Sequence, residues 1–167
     1  GGMGVRLVKQ FANAGLSDSM KFMSVFTTDE TTLPGQKDAA VGFLAAGTWA
    51  PDMPNDANLA FAKAFEAKYG YIPGSYAMQA YDTANLIDSA VAKTGGDLSD
   101  KNAVRDALKE ADFTSLRGDF SFNNNHYPVQ SFHMLNVVKR DDGKFHTSFV
   151  RTIKADYADS FHQDCKM

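Results

Sequence analysis

Apolar and polar positions recur with two different periods along the chain, and the change of period divides it. Val5, Leu7, Val8, Phe11 and Ala12 fall at helical spacing and Gly15 stops the pattern, which predicts a first helix with a glycine just past its end. The short apolar stretch 21–26 (KFMSVF) then runs into Thr27, Thr28, Asp29 and Glu30, the pattern of a buried strand opening into a loop. A short helix is expected near 31–34, a second strand over 41–49 (VGFLAAGTW), and an extended connection over 50–54, where the two prolines of APDMP suit a linker. Three helices follow. Leu59, Phe61, Ala62, Phe65 and Tyr69 are spaced for a helix capped by Asn55 or Asp56 and ended by Gly70. Over 74–91, Ala77, Ala80, Tyr81, Ala84, Ile87 and Val91 make a broad face of small residues suited to close packing on a sheet, the mark of a central helix. Val104, Ala107 and Leu108 form the inner stripe of a third helix capped by Ser99 or Asp100. After Phe113 the period falls to two: 119–123 (DFSFN) alternates, 123–127 is turn-like, and 131–139 reads as a longer strand. Asp141, Asp142 and Gly143 then signal a hairpin from which 144–153 returns antiparallel. The end, 156–167, suits a short helix with little apolar surface to hold it, and is expected to fray.

Composition narrows the function classes. With 167 residues, 44% hydrophobic and 22% charged, the chain is of a size for one domain with a real core. A net charge of -3, with no face concentrating Lys and Arg, gives no electrostatic footprint for nucleic acid or an anionic membrane. No apolar run approaches a spanning helix, and the start, Gly-Gly-Met-Gly, lacks the order of a secretory signal, so no targeting segment gives the location. Cys165 is the only cysteine, which leaves neither an intrachain disulfide nor a thiolate cluster. His126, His133, His146 and His162 fall in a turn, two strands and the tail, with no pair at metal-binding spacing; neither metal nor cofactor is expected. His133 and His146 flank the hairpin and read as cross-strand polar neighbours on a solvated face. Asp29 and Glu30 are adjacent and point apart, as a loop acid and a helix-start acid. No phosphate-binding glycine string occurs, Cys165 sits in the tail, and no nucleophile, base and orienting group assemble, so catalysis is not expected.

The pieces in order carry a resemblance. "FANAGL" (11–16), "KFMSVF", "DAAVGFLAAGTW" (38–49), "FAKAFEAKYGYIP" (61–73), "YAMQAYDTANLIDSAV" (76–91) and "LRGDFSFNNN" (116–125) cover nearly all of the chain. Together they resemble the second half of a type I periplasmic solute-binding protein, in the branch serving ABC importers of branched-chain amino acids and related small carboxylates. The most specific combination is "FEAKYGYIP", then "YAMQAYD", then "GDFSF", at this spacing.

The resemblance implies an α/β chain that is a fragment of a two-lobed fold, with a C-terminal antiparallel hairpin. By family order 1–49 is a second-lobe portion and 50–113 a first-lobe portion after a hinge, while 114–167 supplies crossing strands, hairpin and tail of the second lobe. It implies a periplasmic location, a small-molecule carboxylate (an aromatic acid or a branched-chain amino acid) held between the lobes, and ABC importer membrane subunits as partners. A chain without most of one lobe exposes apolar surface, so dimerisation, exchange of elements or pairing with the missing half is expected. The hinge falls on "TWAPDMP" at Trp49 and Ala50. The cleft residues implied are Ser24, Phe26, Thr27 and Thr28 after the first strand, and Tyr76 at the start of the Tyr-Asp helix. Neutral hydroxyls there suit a small carboxylate, and Phe26 supplies apolar or stacking contact. Several readings stay open: Tyr76 lines the cleft or packs, Trp49 walls the cleft or seals a core edge, and Thr27 and Thr28 donate to a solute or cap the next helix. Tyr81 reads as core. An amino acid would need an acid for its ammonium where Phe26 stands, which favours a solute without an amine. The rival class is a ligand-sensing domain of a receptor or regulator with the same fold.

Overall fold

The period-two end of the chain organises the sheet. In a computed structural model, which describes residues 1–166, β4 (Pro128–Lys139) and β5 (Phe145–Tyr157) form a long antiparallel hairpin. Its turn closes through the Gly143 N–H to Arg140 O (2.9 Å) and the Arg140 N–H to Lys144 O (2.8 Å). Gly143 has φ +83°, a left-handed conformation that glycine adopts without strain. β2 (Leu44–Gly47) pairs antiparallel with β4, and β1 (Met23–Ser24) pairs parallel with β2. The short β3 (Ser121–Phe122) adds to the start of β4. The strands are found where the apolar runs and the alternation placed them, with shorter first two and a longer hairpin. Residues 21–26 read as a buried strand, yet only Met23 and Ser24 pair, and Met23 is exposed, because β1 is the sheet's edge.

Two apolar clusters hold the sheet. α1 (Gly2–Asn13), α2 (Leu33–Gln36) and the strand residues bury Val8, Leu33, Ala40, Phe43 and Val137. Phe11, Phe22 and Phe43 meet ring against ring beside them, with centroids 4.6 to 5.6 Å apart. The second cluster joins Ala45 and Leu135 of the sheet to Trp49, Ala50 and Met53 of the connection and to Phe61, Met78 and Leu116. Here α3 (Asp56–Tyr69) and α4 (Ser75–Lys93) are anchored, and α5 (Lys101–Glu110) packs on α4. Asn55 caps α3 by accepting from the Asn58 N–H (2.8 Å), and Asp100 caps α5 by accepting from Asn102 and Ala103.

Three expectations need correcting. In α4 the buried residues are Met78, Asp82 and Ala90, while Ala80, Tyr81, Ala84 and Ile87 of the small-residue face are exposed. Nothing among the described residues covers that face, so α4 is not central here. Tyr81 is 45% exposed, its ring against Phe61 at 4.8 Å, and is not core. The tail, expected to fray, is tied back: Asn124 Nδ2 donates to His162 O and Cys165 O, and Asn125 Nδ2 to Asp159 Oδ2. Polar bonds to the 123–126 turn do what apolar surface could not, and helical structure is confined to the turn His162–Asp164.

Candidate functional site

The loop after β1 is built by its own side chains. Asp29 Oδ1 accepts from the N–H groups of Thr31 (2.9 Å) and Thr32 (3.1 Å) and from the Thr31 hydroxyl (2.6 Å), which closes an Asx-type turn. Thr27 O accepts from Gln36 Nε2 (2.7 Å) and from Thr32 Oγ1 (3.1 Å), so the buried Gln36 fastens the loop to α2. Within this frame Phe26 has φ +59°, an unfavourable conformation for an aromatic residue and a form of strain that concentrates at functional sites. The Phe26 ring is exposed.

The five cleft residues read from the sequence come together unevenly. Phe26 (46% exposed) and Tyr76 (64%) present rings whose centroids lie 6.4 Å apart with planes 21° from parallel. Ser24 Oγ and Thr28 Oγ1 are 3.5 Å apart, but Thr28 is buried and turns its hydroxyl toward Ser24 rather than outward. Thr27 is half-buried, with its carbonyl taken by the frame. Neither threonine side chain caps α2, whose approach is held by Asp29 instead.

Trp49 and Ala50 are almost fully buried and belong to the second cluster. The agent is Asn58, a residue the sequence reading passed over. Its Oδ1 accepts from Trp49 Nε1 (2.6 Å) and its Nδ2 donates to Ala50 O, Pro51 O and Met53 O at 3.2 to 3.3 Å. Asp52 ties the same connection to β5, accepting from Ser148 Oγ (2.6 Å) and the Phe149 N–H (2.8 Å). Two further acids are buried. Asp82 of α4 accepts from Ser115 Oγ (2.6 Å), the Leu116 N–H (2.9 Å) and Arg117 Nε (3.1 Å), and Arg117 donates on to Gln130 of β4 (2.8 Å). Glu30 Oε1 accepts from the Thr147 N–H (2.8 Å) and hydroxyl (2.7 Å); burial pushes its carboxyl up to about 7 against these bonds.

The histidines form no site. His133 and His146 do not meet: the register sets His133 opposite Thr152 and His146 opposite Val138. His133 is buried rather than solvated, its Nδ1 3.2 Å from Thr152 Oγ1 and its ring against Phe149, and burial lowers its pKa. Among the described residues, no group of three or more His, Cys, Asp and Glu is placed to hold a metal, and no helix is long and apolar enough to cross a membrane.

Known proteins share this fold. Residues 1–144 match the family model described as periplasmic binding protein. The structure superposes with TM-score 0.86 on an ABC transporter substrate-binding protein from Sphaerobacter thermophilus, at 26% identity over 93% of this chain and 43% of the other. A solute binding protein of an R. palustris ABC transporter, solved in complex with benzoate, matches with TM-score 0.83 and 29% identity over 96% of this chain and 42% of its own. One from Rhodopseudomonas palustris BisB5, in complex with 3,4-dihydroxybenzoic acid, gives 0.81 and 30% over 93% and 43%. No curated protein matches. The chain thus spans less than half the length of these structures, and its α/β architecture is that of part of a two-lobed fold. It belongs to the periplasmic binding protein family.

Proposed function

We propose that this chain is part of the extracytoplasmic solute-binding component of an ABC importer, and that its solute is an aromatic carboxylate without an amine. The observation that carries the reading is the pair of exposed, nearly parallel rings of Phe26 and Tyr76, the first held out by a left-handed backbone. Flat apolar faces suit a planar ring, and Ser24 and Thr27 carry hydroxyls, neutral donors suited to a carboxylate. The acids argue against an ammonium group: Asp29 spends Oδ1 on the Asx-type turn, Glu30 spends Oε1 on Thr147, and both are buried. Relatives of 28–30% identity bound to benzoate and hydroxybenzoates support the same class. In this reading 1–49 and 114–167 are second-lobe portions, 50–113 lies in the first lobe, and the protein works in the periplasm beside the importer's membrane subunits, binding its solute without transforming it.

Calorimetric titration of the complete two-lobed protein with benzoate, 4-hydroxybenzoate and leucine tests the proposal. Benzoates should bind and leucine should not, and Phe26→Ala or Tyr76→Ala should each weaken benzoate by about threefold to tenfold, the range of one aromatic contact. Leucine binding with no response to benzoate would refute it.

A further inference from the structure

Two pairs of aromatic rings lie close to parallel, and they differ in spacing. Near the first cluster, Phe22 and Phe43 stack directly, with centroids 4.6 Å apart and planes 18° from parallel. Phe26 and Tyr76 are 21° from parallel, yet their centroids are 6.4 Å apart, 1.8 Å wider. Phe43 is buried and Phe22 half-buried, whereas Phe26 and Tyr76 are both exposed. The wider pair is carried by two segments that touch. Phe26 has its left-handed backbone at the head of a loop held by Asp29 Oδ1 and by Gln36. Tyr76 stands in the first turn of α4, which the chain enters through the buried Gly74; a Cβ there would lie 3.5 Å from Thr31 Cγ2 and 3.6 Å from the Glu30 Cβ. The start of α4 therefore packs on the loop that carries Phe26.

We propose that Phe26 and Tyr76 are the two plates of a slot that takes the solute's ring between them, so that the protein selects a flat ring and rejects a saturated one of the same size. The inference rests on the aromatic-carboxylate reading above and adds how the ring is held and what is excluded. Carbon atoms in face contact sit about 3.5 Å apart, so a flat ring touching both plates needs them about 7 Å apart. The observed 6.4 Å falls short of that by only about 0.6 Å. A saturated ring is thicker, because axial hydrogens stand off both of its faces, and it would need the plates roughly 1–2 Å further apart again. Apolar area does not separate the two solutes, since a cyclohexane ring buries at least as much of it as a benzene ring. Nor does the carboxylate, which both carry and which the hydroxyls of Ser24 and Thr27 suit equally. Ring thickness is the difference that the slot can read.

The test is calorimetric titration of the complete two-lobed protein with benzoate and with cyclohexanecarboxylate, followed by proton NMR of bound benzoate. Cyclohexanecarboxylate should bind about tenfold to a hundredfold more weakly, the loss of two aromatic contacts. The benzoate ring protons should move upfield on binding, because they lie over two aromatic faces. In Phe26→Leu and in Tyr76→Leu, which keep an apolar side chain but remove one plate, the upfield shift should fall to about half and the gap between the two solutes should narrow. Equal affinity for the two solutes, or benzoate protons that do not move upfield, would overturn the slot and leave the solute class standing. Binding of leucine with no response to benzoate would sink the solute reading and the slot with it.

Discussion

Asn58→Leu tests whether the connection 49–53 is fixed by one side chain. Leucine matches asparagine in shape, so the site stays filled and what is lost is polar. Trp49 is 2% exposed and Asn58 fully buried, so removing Oδ1 strands the indole N–H, and removing Nδ2 takes the donor from the carbonyls of Ala50, Pro51 and Met53. A stranded buried group costs about 1–3 kcal/mol, and the three carbonyls share two protons. Counting the indole as one loss and the carbonyls as another gives about 4 kcal/mol, or a fall in Tm of roughly 10 °C for a chain of this length. Urea unfolding followed by tryptophan fluorescence measures it, since Trp49 is the sole tryptophan and reports from the clamp itself. In a Trp49→Phe background the same change should cost about 1–2 kcal/mol less, because the indole N–H is already gone. A loss under about 1 kcal/mol, or no coupling to Trp49, would refute the idea of a clamp.

Glu30→Gln should alter stability in a pH-dependent way. The folded carboxyl is raised from 4.5 to about 7, so its contribution is complete below 4.5 and is lost as pH rises toward and through 7. Chemical denaturation should show the variant more stable than the parent by up to about 3 kcal/mol at pH 8 and no more stable at pH 4.5; an equal difference at both would contradict the assignment. Arg117→Met leaves Asp82, which is 2% exposed, without its cation, and should cost about 3 kcal/mol, with Asp82→Asn restoring part of that in the double variant; additive single effects would show the pair to be uncoupled.

What the sequence could show depended on how local the cause was. Helices α1, α3 and α5, the caps at Asn55 and Asp100, and the turn at Gly143 follow from spacing and from residues acting within a turn of chain, and each was legible. Burial was not, because it depends on what lies opposite. The face of Ala80, Tyr81, Ala84 and Ile87 has the composition of a packed surface and is exposed, while Asp82 on the same helix is buried by partners more than thirty residues away. That pairing gives a physical reason for two of the motifs behind the resemblance: the aspartate of "YAMQAYD" is the acceptor for the backbone and side chain at "LRGD". The site divides the same way. Serine, threonine and aromatic residues after a strand marked the loop by type, but not the left-handed backbone of Phe26, the Asx-type turn beside it or the tie from Gln36, ten residues on. Asn58 and Glu30 carried no signal, since an asparagine inside a helix and a glutamate near the start of one are ordinary solvated residues until a distant partner buries them. For each, backbone is among the partners, the connection for Asn58 and the Thr147 N–H of β5 for Glu30, beside the side chains of Trp49 and Thr147. Backbone partners leave no trace in residue identity, so the polar residues that fix this site are the ones that pattern and composition could not distinguish from surface.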